Sequence, residues 1–199
     1  MSALYPEPAL ATLIVVRHGE TEWSELGRHT GRTDVPMLER GREQARSLAG
    51  PLGAIPFSLV LTSPLSRAAE TCALAGFADR AEATDDLLEW DYGDYEGRTT
   101  LEIREERPGW TLWSDGVPGG ETAADVGRRA DRVIERVRQT GGNALCFSHG
   151  HVLRVLASRW IGLPPMGGRM LALDACAMGV LGWEREVPVI ARWNEPSPG

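Results

Sequence analysis

The apolar run Leu13-Ile14-Val15-Val16 passes directly into Arg17-His18-Gly19-Glu20-Thr21. Four apolar, mostly β-branched residues read as a short buried strand. A core strand that ends in Arg-His-Gly delivers a cation and an imidazole at its C-terminal edge, where open α/β sheets bind ligands. Gly19 lets the chain turn sharply and lets a ligand come close. Two further apolar runs end in the same kind of cargo. Residues 57–61 lead into Thr62-Ser63-Pro64-Leu65-Ser66-Arg67, and residues 143–147 into Ser148-His149-Gly150-His151. A loop adds Glu89 within Glu-Trp-Asp-Tyr-Gly-Asp-Tyr-Glu-Gly at 89–97.

Those residue types suit phosphoryl transfer, in which catalysis is mainly positioning and electrostatics. Arg17 and Arg67 are cations at any working pH and can clamp phosphate oxygens bidentately. A neutral ring nitrogen of His18 can attack phosphorus and form a phosphohistidine. Its other ring nitrogen then needs a carbonyl or carboxylate acceptor that the sequence does not identify. His149 can donate to a phosphate oxygen. Glu89 can protonate the leaving oxygen and later deprotonate water. Its neighbours Leu87, Leu88 and Trp90 are apolar and would favour a carboxyl that keeps its proton. The helices that follow the strand ends are expected to aim N-terminal N–H groups at the same anion.

Behind these residues the chain reads as alternating strands and helices. Strands are expected at 12–16, 57–61, 82–88 and 143–147. Helices are expected at 38–48, closed by Gly50, Pro51, Gly53 and Pro56, and at 68–75, with Ser63 or Ser66 as cap. Further helices are expected at 100–107, 122–139 and 152–161. Residues 122–139 place Val126, Ala130, Val133, Ile134 and Val137 on one apolar face. Short strands at 171–173, 178–183 and 187–193 close the chain, with a loose lead-in at 1–10 and a frayed tail at 194–199. The alternation predicts an α/β fold with a largely parallel sheet. No repeat or linker divides it, so one domain is expected over 1–199, ordered over about 11–193.

The ordered set of motifs resembles the histidine phosphatase superfamily, the phosphoglycerate-mutase-like proteins. The resemblance rests on Leu13 through Thr21, Thr30 through Pro36, Ser63 through Ala68, Glu89 through Gly97, Gly120-Glu121-Thr122 and Ser148 through His151, and it spans roughly residues 12–160. It implies a three-layer α/β/α fold and His18 as nucleophile. Arg17, Arg67 and His149 would hold phosphate, and Glu89 would donate the proton. It implies no metal and no organic cofactor. The superfamily contains phosphatases and cofactor-dependent mutases. The mutases look longer, with an insertion that is absent between Trp90 and Gly119, and this chain has Ser24 and Arg32 where they carry asparagine and tryptophan. A shorter cap leaves a phosphohistidine open to water, which favours hydrolysis. The 89–97 loop, with Gly150-His151-Val152-Leu153-Arg154, looks more like the branch containing sedoheptulose-1,7-bisphosphatase and broad acid phosphatases. The expected activity is therefore a phosphomonoesterase on small phosphorylated sugars or sugar acids. A mutase is the alternative, and a catalytically silent phosphate-binding module comes last because every chemical residue is present. Candidate substrate-side residues are Ser24, Thr30, Gly31, Arg32, Trp90, Tyr92 and His151, with Arg28 or Arg32 meeting a second anionic group.

Other readings carry less. His149 and His151 form a His-x-His pair, but no cysteine joins them and two arginines would compete with a metal ion. His29 reads as a loop residue. The 199 residues are 42% hydrophobic and 25% charged with net charge -7, which argues against nucleic acid or an anionic membrane as partner. Cys72, Cys146 and Cys176 are odd in number and without framework spacing, so they read as thiols in a reducing, cytoplasmic setting. The N-terminus shows no signal-peptide pattern, and no run is long enough to span a bilayer. A homo-oligomer is left open.

Overall fold

The computed structural model describes residues 10–198; most of the lead-in expected at 1–10 lies outside them. Six strands form one sheet in the order β3-β2-β4-β1-β5-β6. They are β1 (Leu13–Arg17), β2 (Leu59–Thr62), β3 (Glu82–Ala83), β4 (Ala144–Ser148), β5 (Met178–Glu184) and β6 (Val187–Glu195). The first four in that order pair in parallel, and β5 and β6 add an antiparallel edge.

Strict alternation makes this sheet the middle of three layers. Leu13 and Val15 of β1 and Ala144 and Cys146 of β4 face one apolar core. Ile14, Val16, Leu145 and Phe147 face the other. Strands buried on both faces are why these segments read as unbroken apolar runs rather than alternating ones. The first core is covered by α7 (Ala123–Gln139) and α8 (Gly150–Trp160). The second is covered by α2 (Glu39–Ser47), α3 (Ala49–Gly53) and α4 (Ser66–Leu74). Val126, Val133 and Val137 of α7 are essentially unexposed, each worth about 1.5–3 kcal/mol of transfer free energy. Short helices α1 (Glu22–Glu25), α5 (Thr100–Glu106) and α6 (Leu112–Asp115) lie in the connections. Of these, α1 and α6 carry no apolar periodicity that four residues could reveal.

Several boundaries differ from the sequence expectation, each for a local reason. Segment 82–88 is a strand only at Glu82–Ala83, then a 3-10 turn at Asp85–Leu87 capped by Thr84. Gly50, Pro51 and Gly53 do not close a helix but lie inside α3. Pro51 is the third residue of α3, in the first turn, where its missing N–H has no partner to lose. Neither Ser63 nor Ser66 caps α4; the cap position is Leu65, and Asp34 from a distant loop accepts from Ser66 N at 2.9 Å instead. Residues 171–173 form no strand, because side chains take their carbonyls: Arg17 at Leu173 and Trp193 at Ala172. Asn194 and Glu195 belong to β6, not to a frayed tail.

Parallel register then sets the site. Arg17 pairs with Ser148 and Thr62 with Phe147. Residues His18, Ser63 and His149 therefore leave the sheet side by side at its C-terminal edge.

Candidate active site

His18 and His149 meet edge to face with ring centroids 5.1 Å apart. His18 is 5% exposed and its Nδ1 lies 2.7 Å from the carbonyl of Gly19. A carbonyl only accepts, so Nδ1 carries the ring hydrogen. Burial, then the guanidiniums of Arg17 and Arg67, hold this imidazole well below the usual histidine range. The ring is neutral and its Nε2 is a bare lone pair. The acceptor that the sequence left unidentified is thus the backbone of the next residue. That carbonyl is fixed in turn: Gly19 N donates to the Thr71 hydroxyl of α4 at 3.0 Å. On the other side, Gly19 and Glu20 pack against Gly41 of α2 so closely that a Cβ on Gly41 would lie 2.5 Å from Glu20 O and 2.6 Å from Glu20 N.

A cavity of about 270 Å³ opens over His18, with Arg17, Glu89, Thr30 and Ser24 in its wall. Arg17 donates to Leu173 O at 2.6 Å through Nη1, while its buried Nε has no partner among the described residues. Burial lowers its pKa and the nearby Glu89 carboxylate raises it; a guanidinium in that position stays charged. With Nη1 on Leu173 O and Nε buried, Nη2 is the charged donor left beside the bare imidazole nitrogen for an incoming phosphate dianion.

Arg67 and His149 are fully buried and do not line the cavity. Arg67 Nε donates to His149 Nδ1 at 3.1 Å, Nη1 to Thr33 O at 2.9 Å, and Nη2 to Gly31 O at 2.8 Å and Thr30 O at 3.2 Å. An arginine only donates, so His149 carries its hydrogen on Nε2, which lies 2.8 Å from Ser63 Oγ. Burial and then Arg67 hold the His149 imidazole well below its usual range. This pair braces the 30–33 loop against the sheet edge and supplies positive potential from behind His18.

Glu89 is buried, but not among apolar groups as its sequence neighbours suggested. Its Oε1 accepts from Trp90 N at 2.8 Å and Val152 N at 2.9 Å, and Oε2 from His151 N at 3.0 Å. The second and third amides of α8 therefore serve this carboxylate and are not free for an anion, which narrows the expectation from helix placement to the first, that of Gly150 in the cavity wall. Oε1 has both lone pairs engaged, so a proton in transit can sit only on Oε2. Arg129 of α7 holds the loop below, donating to Asp86 O and Leu88 O at 2.9 Å and to both Glu121 oxygens at 2.8 Å. The sequence reading passed over Arg129. The signal was a charged residue beside Ala130 on the apolar stripe of α7, where a cation is tolerated only with partners.

The substrate-side expectations divide. Ser24, Thr30, Tyr92 and His151 line the cavity. Ser24 spends its hydroxyl on the reciprocal cap of α1 with Thr21. Gly31, Arg32 and Trp90 do not line it. Gly31 is sandwiched between Arg67 and Glu96. Arg32 turns to Asp91 at 3.7 Å and Glu121 at 3.6 Å. Trp90 is core, unexposed, with its indole N–H on Glu121 O. Arg28, Arg154 and His29 stand in the wall instead. The sequence could not tell Arg28 from Arg32, since both lie in one turn-rich loop and long-range partners decide. His29 is packed on Tyr92 with centroids 4.8 Å apart, and burial lowers its pKa to about 4.

No helix among the described residues is long and apolar enough to cross a membrane. A family model described as histidine phosphatase superfamily (branch 1) matches residues 13–196. An acid phosphatase of Mycobacterium tuberculosis is 40% identical over 193 residues, covering 94% of this chain and 95% of that protein. A sedoheptulose 1,7-bisphosphatase of Saccharomyces cerevisiae is 38% identical over 183 residues, covering 75% and 67%. A solved Mycobacterium tuberculosis structure superposes with TM-score 0.89 at 38% identity, over 94% of this chain and 99% of that one.

Proposed function

The chain belongs to the histidine phosphatase superfamily, branch 1, and on that premise we propose that it is a phosphomonoesterase of small phosphorylated metabolites working through a phosphohistidine at His18. The observation that carries this reading is the hydrogen bond from His18 Nδ1 to Gly19 O at 2.7 Å. It leaves Nε2 unprotonated beside Arg17 in the cavity. The Nε2 lone pair attacks phosphorus, the bond from phosphorus to the ester oxygen breaks, and that oxygen takes the proton held on Glu89 Oε2. Water then attacks phosphohistidine, gives its proton to Glu89 and releases inorganic phosphate, restoring His18. Arg17 holds the phosphate oxygens directly. Arg67 and His149 act from behind, by charge and by bracing the 30–33 loop. The leaving alcohol lies toward Thr30, Tyr92, His151, Arg28 and Arg154, a wall suited to sugar phosphates or sugar acid phosphates. The relatives named acid phosphatase and sedoheptulose 1,7-bisphosphatase support hydrolysis of such esters. The same proposal takes residues 1–199 as one catalytic domain, with a reducing cytoplasmic setting suited to three buried free thiols.

Rapid acid-free quench with a 32P-labelled sugar phosphate tests it. The wild type is expected to give an acid-labile, base-stable labelled protein and to release phosphate. His18→Ala is expected to give neither. Steady turnover by His18→Ala refutes the reading. Exchange between phosphoglycerate isomers without phosphate release would make the protein a mutase.

A further inference from the structure

In the cavity wall the phenol oxygen of Tyr92 lies 2.7 Å from Nδ1 of His151. Both residues line the cavity, Tyr92 only 1% exposed and packed against His29, His151 partly buried. No other hydrogen bond is made by the Tyr92 hydroxyl or by His151 Nε2 among the described residues. We propose that Tyr92 is a positioning residue: it donates its O–H to Nδ1 of His151 and so fixes the tautomer whose hydrogen sits on Nε2, turned to the leaving group. This rests on the phosphomonoesterase reading above and extends it to the choice of alcohol.

The direction of the bond follows from what each alternative strands. If Nδ1–H donated to the phenol, the buried Tyr92 O–H would have no acceptor, and an unmade buried donor is the expensive case. If Tyr92 donates, its hydrogen is satisfied and only a phenol lone pair goes unused. Both groups hold the charge state this requires. Burial, then Glu89 and Glu96, keeps the phenol protonated, with a pKa well above its usual value. Burial, then Arg154 and His29, keeps the imidazole neutral, well below its usual value. The consequence is a wall of donors opposite His18. His151 Nε2–H joins Arg28 and Arg154 there. Arg28 Nη1 is held by Gly97 O, and Arg154 Nε and Nη2 by Gly168 O and Arg169 O, which leaves Arg28 Nη2 and Arg154 Nη1 without a hydrogen bond among the described residues. Such a wall selects an alcohol that presents acceptors, such as a carboxylate, a carbonyl or a further phosphoryl group, and gains nothing from a bare hydrocarbon ring.

The first test needs no substrate. Long-range 1H–15N correlation spectra of histidine-labelled protein are expected to show His151 as the Nε2–H tautomer at neutral pH, and Tyr92→Phe to shift it toward a mixture or to Nδ1–H. The second is kinetic, with 3-phosphoglycerate as the acceptor-rich ester and phenyl phosphate as the acceptor-poor one. Tyr92→Phe is expected to raise KM for 3-phosphoglycerate by about three- to tenfold, the size of one net hydrogen bond, with kcat little changed. Phenyl phosphate is expected to stay within about twofold. His151→Gln, whose amide N–H stands in for Nε2–H, is expected to show a lower KM for 3-phosphoglycerate than His151→Asn, and adding Tyr92→Phe to it to change KM little. His151→Asn, which replaces Nδ1 instead, is expected to behave like Tyr92→Phe or worse. An Nδ1–H tautomer in the wild type overturns the proposal. So does an equal KM rise on both esters, or an equal Tyr92→Phe effect in the His151→Gln background. Should neither ester be turned over, the phosphomonoesterase reading fails while the tautomer result still stands by itself.

Discussion

Gly41 lies outside the cavity, yet it sets how closely α2 approaches the turn that carries His18, the proposed nucleophile, and Gly41→Ala measures that coupling. Two effects oppose each other. Gly41 is the third residue of α2, and alanine in a helix interior is better than glycine by roughly 0.5–1 kcal/mol. Against this, the new Cβ would stand 2.5 Å from Glu20 O and 2.6 Å from Glu20 N, where ordinary contact begins near 3.4 Å. Both neighbours are backbone, so no side chain can swing aside. Relief requires the helix and the 18–20 turn to separate by the difference, 3.4 - 2.5 = 0.9 Å. Overpacking of this kind costs about 1–3 kcal/mol. The clash wins, and net destabilisation of about 1–2 kcal/mol is expected by urea unfolding. The turn that must move includes the Gly19 carbonyl that aims His18, and a displacement near 1 Å at a reacting group costs on the order of 10²-fold. A fall in kcat of about ten- to a hundredfold is therefore expected, with labelled phosphoprotein forming more slowly in the quench. Gly53→Ala in α3 is the control, since nothing lies within 4 Å of its Cβ. It is expected to be neutral or slightly stabilising and fully active. If Gly41→Ala unfolds at the same urea concentration as Gly53→Ala and keeps its kcat within twofold, the turn is not held by backbone contact and the reasoning is wrong.

Thr71→Val keeps the shape of α4 but removes the acceptor for Gly19 N. It is expected to lose about 1–3 kcal/mol in urea unfolding and to slow phosphoprotein formation. Arg28→Ala is expected to raise KM for bisphosphorylated sugars at least fivefold more than for monophosphates. Arg32→Ala, paired outside the cavity with Asp91 and Glu121, is expected to change both KM values by less than about twofold. His29 titrates near 6.5 when unfolded and about 4 when folded. Between those values the unfolded chain binds a proton that the native chain refuses, so stability falls as acid is added through this window. At pH 5 the penalty is about 2 kcal/mol relative to pH 8. Urea unfolding of His29→Asn should lose that much less stability between the two pH values, and an unchanged pH dependence would contradict the burial argument.

The sequence by itself determined the sheet and the cargo at its strand ends. Leu13 through Val16, the run before Ser63 and the run before Ser148 are apolar because both faces of those strands are buried, and that requirement is written residue by residue. The valines of α7 likewise announce a helix with one dry face. From these alone His18, Arg17, Arg67, His149 and Glu89 are expected at one edge. What the sequence could not hold was the partner of each polar group. Local patterns carry the period of an element, but a hydrogen bond across 32 or more positions has no signature in either segment. Asp34 capping α4, Arg67 gripping the carbonyls of 30–33, and the α8 amides turning to Glu89 are all of that kind. The same holds for Arg28 facing the cavity while Arg32 and Trp90 face away. Only the folded chain decided which donor met which acceptor. Burial makes every such group find a partner, and the parallel register of β1, β2 and β4 decided which partners were within reach.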